Sequence, residues 1–108
     1  DFLYVKDAVA MTIHLANTPT ANGLFNLGSG QANTWNTLAT AIFAALDLEP
    51  NINYIDMPEQ LKGKYQYYTC ADTAKLRSTG YTNKGYTLQD AVKDYVQNYL
   101  ITGKQLGQ

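Results

Sequence analysis

The sequence has 108 residues, 45% hydrophobic and 16% charged, with a formal charge of −1. That is one ordinary globular domain at most, and its near-neutral balance lacks the basic surface that a nucleic-acid partner requires. No apolar run approaches the ~20 residues of a membrane span, so no membrane partner is expected, and the single cysteine, Cys70, excludes an intrachain disulfide.

The first residue is Asp1 rather than methionine, and it opens what reads as a strand, so the chain is expected to be a piece of a longer protein. Residues 2–5 alternate Phe2 and Tyr4 with Leu3 and Val5, the period-two pattern of a short strand. Asp7 is placed to cap a helix running to about Asn17. On it, Val5, Val9, Ile13 and Ala8, Met11, Leu15 form adjacent apolar stripes. Pro19 stops this helix and Asn22-Gly23 makes a turn. His14, the only histidine, has no cysteine, second histidine or carboxylate at ligand spacing and reads as a surface helix residue.

Leu24–Leu27 reads as a buried strand that ends in Gly28-Ser29-Gly30. A strand, a Gly-x-Gly turn, a helix and a second strand ending at Asp56 imitate a dinucleotide-binding unit. The imitation breaks at Asn33, where a third glycine would allow close helix–strand packing. The simpler reading is a sharp turn free of Cβ clashes. Thr34 suits the N-cap of a helix over 35–46, whose Trp35, Leu38, Ile42 and Leu46 share a stripe beside Ala39 and Phe43. Trp35 is therefore expected in the core. Residues 52–57 read as a strand that Pro58 stops.

In the next stretch two lysines, Lys62 and Lys64, flank Gly63, and Tyr65, Tyr67 and Tyr68 follow on an extended run. Cations beside flat aromatic rings suit a ligand with phosphates at one end and rings at the other. An edge strand would look the same, its lysines discouraging edge pairing and its tyrosines chosen for β-propensity. Asp72 then caps a short helix over 73–79, and Gly80 suits its end. Thr87-Leu88-Gln89-Asp90 resembles a capping box with aspartate in place of glutamate. It opens a helix to about Ile101 with the stripe Leu88, Ala91, Val92, Tyr95, Val96, Tyr99 and Leu100. Gly103 ends it, leaving residues 1–103 as the folded unit and 104–108 as a disordered tail. The expected fold is mixed α/β, in the order β-α-β-α-β-β-α-α.

Four stretches, in order, carry a resemblance. They are Asp1-Phe2-Leu3-Tyr4-Val5-Lys6-Asp7; Phe25-Asn26-Leu27-Gly28-Ser29-Gly30; Lys62-Gly63-Lys64-Tyr65-Gln66 with Ala71-Asp72 and Lys75-Leu76-Arg77; and the closing helix from Thr87. Together they resemble the C-terminal part of the ADP-L-glycero-D-manno-heptose 6-epimerase family, within the extended short-chain dehydrogenase/reductase superfamily. The Lys64-Tyr65-Gln66 block points to the heptose epimerases in particular, although the family more usually has arginine where Lys64 stands.

The resemblance implies the substrate-binding portion of a Rossmann-type fold, from an isomerase that inverts C6 of ADP-heptose by transient oxidation and reduction with bound NADP. The setting it implies is lipopolysaccharide core synthesis in the cytoplasm. By the same resemblance Tyr65 faces the ADP-sugar, Lys64 holds the arginine's place, Lys62 aligns with a cation that meets the diphosphate, and Gln66 belongs to the same block. The superfamily's catalytic Tyr-x-x-x-Lys pair is missing, because no tyrosine here has a lysine four residues on. No catalytic, cofactor-binding or metal-ligating residue is therefore expected on this chain. NADP would be held by a portion upstream, and the chain alone is expected to be inactive. A homo-oligomer is also expected, with Phe25, Leu27, Val9 and Ile13 on an uncovered apolar face. Two alternatives stay open: another NAD(P)-dependent nucleotide-sugar epimerase or dehydratase of the superfamily, and a non-enzymatic binding module.

Overall fold

The computed structural model describes residues 1–105 and 107. Four helices carry it: α1 (Val5–Ala16), α2 (Trp35–Ala45), α3 (Ala74–Ser78) and α4 (Leu88–Tyr95). The last continues into a π-helical turn, Val96–Leu100, and a single 3₁₀ turn, Glu59–Leu61, precedes the lysine–tyrosine run. Among the described residues there is no strand, so the expected mixed α/β fold is not what forms. Alternating side chains express a local preference, whereas a strand exists only where a second one lies about 4.8 Å away to complete the ladder. Residues 2–4, 24–27 and 52–57 have no such neighbour. Side chains meet some of these backbone groups instead: Lys75 Nζ donates to the Leu24 carbonyl at 2.7 Å. Leu24 itself, expected in a buried strand, is 93% exposed.

The helix ends follow from local chemistry. Thr34 Oγ1 accepts the Thr37 N–H at 3.0 Å, and Thr87 Oγ1 accepts the Asp90 N–H at 3.1 Å. Each satisfies an amide that the first turn leaves orphaned. The reciprocal half of the box at Thr87 does not form as expected; the Thr87 hydroxyl donates to the Asp90 carboxylate at 2.7 Å. Asp72 Oδ1 accepts the Ala74 N–H at 2.9 Å, and Gly80 with φ +90° follows α3. At the end of α2 the Leu48 N–H reaches the Phe43 carbonyl at 3.0 Å and the Asp47 N–H reaches Ala44 at 3.2 Å. This is a Schellman motif with Asp47 in the left-handed region, φ +55°.

Asp7 is not a cap. The helix begins two residues before it, at Val5, so Asp7 lies within the first turn. It is 6% exposed and accepts the Tyr86 N–H at 2.9 Å.

Two apolar clusters hold the molecule together. Ala41 and Ala45 of α2 pack on Val92 and Val96, with Leu38 and Leu88 at the margins. Small residues at this crossing let the two helix backbones come close. Met11, Leu76 and Tyr81 form the second cluster, joined by Leu3, Leu15, Phe25 and Leu27. The buried line of α2 is thus set by its alanines, and Trp35, expected in the core, is 64% exposed. His14 is half-buried, with Nε2 2.8 Å from Thr79 Oγ1.

In the π turn the Ile101 N–H bonds the Val96 carbonyl, five residues back, at 2.9 Å. Gln97 Nε2 then donates to the Ala45 carbonyl at 3.0 Å, satisfying an orphan acceptor at the end of α2. Of the expected tail, Leu106 and Gln108 lie outside the described residues, while the Lys104 N–H still bonds Tyr99 at 3.1 Å. Among the described residues no helix is long and apolar enough to cross a membrane.

Candidate functional site

The lysine–tyrosine run leaves the 3₁₀ turn through a tight reversal. The Lys64 N–H bonds the Leu61 carbonyl at 3.1 Å, and Gly63 takes φ +74°, which its missing Cβ permits. Tyr65 and Tyr67 meet edge to face with centroids 5.4 Å apart. The Tyr65 hydroxyl accepts the Trp35 Nε1–H at 2.6 Å, and the indole in turn meets Phe2 edge to face at 4.9 Å. Phe2, Trp35, Tyr65 and Tyr67 therefore form a continuous row of rings across the N-terminal segment, the start of α2 and the run.

Of the four residues expected at the site, Tyr65 alone is tied into this row. Lys62 Nζ is paired with the Glu59 carboxylate. Lys64 and Gln66 are exposed. The run has no ladder partner, yet Tyr65 and Tyr67, two residues apart, still meet on one side of it, as extended backbone places them.

The Gly28-Ser29-Gly30 turn is occupied by a side chain of the same protein. Asp1 Oδ1 accepts from Ser29 N at 2.8 Å and Ser29 Oγ at 2.7 Å, while Oδ2 accepts from Gly30 N at 3.0 Å and Ala71 N at 2.9 Å. A Cβ on Gly28 would lie 2.4 Å from Ala71 Cβ and 2.8 Å from Asp1 Oδ2. The turn thus brings two stretches of backbone together around a carboxylate. Its amide donors, which a dinucleotide pyrophosphate would need, already face a negative charge, so these residues do not fit NADP.

A cavity of about 530 Å³ lies between the N-terminal segment, α2 and α4. Phe2, Met11, Leu38, Ile42, Leu88 and Val92 line it, and none of the four expected site residues does. Its polar members include groups already engaged. Asp7 holds Tyr86, and Arg77 Nη1 donates to the carbonyls of Tyr81 at 3.2 Å and Asn83 at 2.5 Å. The cavity offers mainly hydrocarbon, which suits a packing surface better than a diphosphate.

Sequence reasoning missed a polar network that fastens α1 to α4. Asp94 Oδ2 accepts from the Tyr4 hydroxyl and from Lys6 Nζ, both at 2.6 Å, and Oδ1 accepts from Asn98 Nδ2 at 2.7 Å. Lys6 also lies 4.8 Å from the Tyr99 ring centroid. The hydrogen bond from Lys6, seconded by that from Tyr4, holds the Asp94 carboxyl down at about 2. Burial, with the Asp94 charge beside it, pushes the Tyr4 phenol up to about 12. The hydrogen bond to Asp94, with Tyr99 close by, raises Lys6 above its usual range. Tyr4 and Lys6 belong to the opening motif, but their partner lies 88 residues beyond Lys6, and no spacing rule reaches that far.

No family model matches the chain. Comparison with curated proteins nonetheless places it among the homologues of a bacterial sugar-nucleotide isomerase, an epimerase. The relatives are ADP-L-glycero-D-manno-heptose-6-epimerases, and the chain corresponds to a C-terminal piece of them. It is 53% identical over 100 residues to the proteins of that name from two strains of Nitratidesulfovibrio vulgaris, an alignment covering 93% of the chain. To the one from Fusobacterium nucleatum it is 42% identical over 106 residues. The chain spans about a third of the length of these relatives, 31% in the first and 32% in the last.

Proposed function

We propose that this chain is the substrate-side, nucleotide-sugar-binding piece of an ADP-glyceromanno-heptose 6-epimerase, with Tyr65 and Lys64 holding the ADP end and Lys62 and Gln66 assisting. The observation that carries this reading is the 53% identity across 93% of the chain. The chemistry of the run supports it. Tyr65 presents an accessible ring and a hydroxyl, and Lys64 is an exposed cation beside it. Lys62 would have to leave Glu59 to reach a phosphate. The Lys62–Glu59 pair is exposed, and exposed ion pairs hold weakly, so it is a small obstacle to a phosphate contact.

Oxidation and re-reduction at the sugar belong to residues outside this chain, which would also hold NADP. The contribution made here is to bind and orient, since contacts remote from the reacting carbon can set its position. Cytoplasmic lipopolysaccharide core synthesis is the setting that goes with this reading.

In the full-length protein, Tyr65→Ala or Lys64→Ala should weaken ADP binding roughly tenfold to a hundredfold while the NADP content of the purified protein stays the same. Wild-type affinity in both variants would return the run to the status of an exposed loop. The 108-residue chain should show no epimerase activity and no micromolar NADP binding by calorimetry. Micromolar binding would reopen the Gly28–Gly30 turn as a cofactor site.

A further inference from the structure

Trp35 is the only tryptophan of the chain, and it stands at the first position of α2 with 64% of its surface exposed. This chain leaves most of the large apolar ring uncovered, and packing within the chain therefore does not account for it. The ring is nevertheless fixed on two sides. Phe2 meets it edge to face, 4.9 Å between centroids and 75° between planes. Its Nε1–H donates to the Tyr65 hydroxyl at 2.6 Å.

The direction of that bond decides what Tyr65 can do. An indole N–H has no lone pair to offer and can only donate, so the phenol oxygen accepts on that side. The phenol's own proton is then free for a third group, and donation into its oxygen polarises the O–H further. Tyr67, edge to face with Tyr65 at 71°, limits rotation of the phenol ring from another direction.

We infer that Trp35 is a positioning residue for Tyr65, holding the phenol so that its O–H donates outward to a phosphate oxygen of the ligand, beside the charge of Lys64. The inference rests on the reading of Tyr65 as a contact to the ADP end. Trp35 then contributes to affinity through the Tyr65 hydroxyl alone, and not by stacking on the ligand.

A double-mutant cycle in the full-length protein, titrated with ADP, tests this. Trp35→Phe keeps one ring against Phe2 and removes the N–H together with the second ring of the indole. The double-variant arm, not the single variant, therefore isolates the part that acts through Tyr65. Tyr65→Phe should lower affinity roughly tenfold, the loss of one bond to a charged acceptor. Trp35→Phe should lower it several-fold, and the double variant should bind no worse than Tyr65→Phe, because a residue acting through another adds nothing once that other is gone. An unchanged affinity in Trp35→Phe overturns the inference. So does an equal loss in the Tyr65→Phe background, which would make the indole a direct ligand contact.

A ligand-free measurement on the 108-residue chain stands apart from the binding question. Its single indole N–H resonance should move upfield and exchange faster with deuterium in Tyr65→Phe. A resonance that stays in place overturns the positioning role, and the reading of Tyr65 as a contact to ADP would still stand if Tyr65→Ala weakens ADP binding. Wild-type ADP affinity in Tyr65→Phe removes the hydroxyl's role and the inference with it.

Discussion

Asp1, Asp7 and Asp72 each spend their carboxylate on backbone N–H groups, and they differ in how far away those groups lie. Asp72 serves an amide two residues on, a relation that sequence shows directly, because an aspartate just before a helical pattern is a cap. Asp1 gathers Ser29, Gly30 and Ala71, and Asp7 reaches Tyr86; neither relation has a local signature. Asp47 has a different fault. Its amide and that of Leu48 close the end of α2, but its φ of +55° is a region where a Cβ crowds the neighbouring carbonyl. A non-glycine residue held there costs on the order of 1 kcal/mol. Asp47→Gly should therefore raise the stability of the chain by about 0.5–1 kcal/mol, read as a higher urea midpoint with an unchanged slope. A lower midpoint would mean that the Asp47 side chain supplies a contact worth more than the strain it carries.

At the scale of elements, α1 is held to α4 by the bonds of Tyr4 and Lys6 to Asp94, and this fastening titrates at both ends of the pH range. The Asp94 carboxyl is held below its ordinary value in the folded chain. Its contribution is thus present above that value and is lost as pH falls from 3.8 to about 2. Tyr4 and Lys6 are raised, so their contributions are present below the ordinary values and are lost as pH rises. For Tyr4 that loss runs from 10.0 to about 12. Asp94→Asn should destabilise the chain near neutrality, and the gap from wild type should close as pH falls from 3.8 to about 2. Urea unfolding of both proteins at a series of pH values checks this; a gap that does not change with pH would show that the ion pair contributes nothing.

The same comparison of near and far relations explains what could be read from the residues. The helices were legible because caps and 3.6-residue stripes are local, as Thr34, Thr87 and the α4 stripe show. The strands were not, because alternation at Leu24–Leu27 or over 52–57 says nothing about whether a partner lies alongside. At the site the lysine–tyrosine run stood out by composition. Its tie to Trp35 crosses 30 residues and contradicts the apolar stripe that had placed the indole in the core.

At the largest scale, the chain is thin and open. It measures 48 × 40 × 20 Å with a radius of gyration of 16.7 Å, where a compact domain of this length would have about 13 Å. A body two helix diameters thick cannot cover the outer face of every helix. Val5, Val9 and Ile13, one stripe of α1, are each about half exposed, and Leu24 is nearly bare. Phe25 and Leu27, expected on the same uncovered face, instead pack against the Met11–Leu76–Tyr81 cluster. Part of the apolar surface left open, beside Leu48, Ile55, Leu100 and Ile101, is the outer stripe of α1, at the four-residue spacing that lets two helices lie side by side. Homo-oligomerisation is proposed to use this stripe, because water-exposed apolar area of this kind is reduced by pairing with a second copy. Sedimentation at micromolar concentration should find the chain self-associated. Val9→Lys with Ile13→Lys should return it to a monomer with its helix content intact, since neither side chain belongs to the two buried clusters. The indole resonance of Trp35 should stay in place in that variant, because the row of rings does not include α1. A wild-type chain that sediments strictly as a monomer would leave the α1 stripe without a role in assembly.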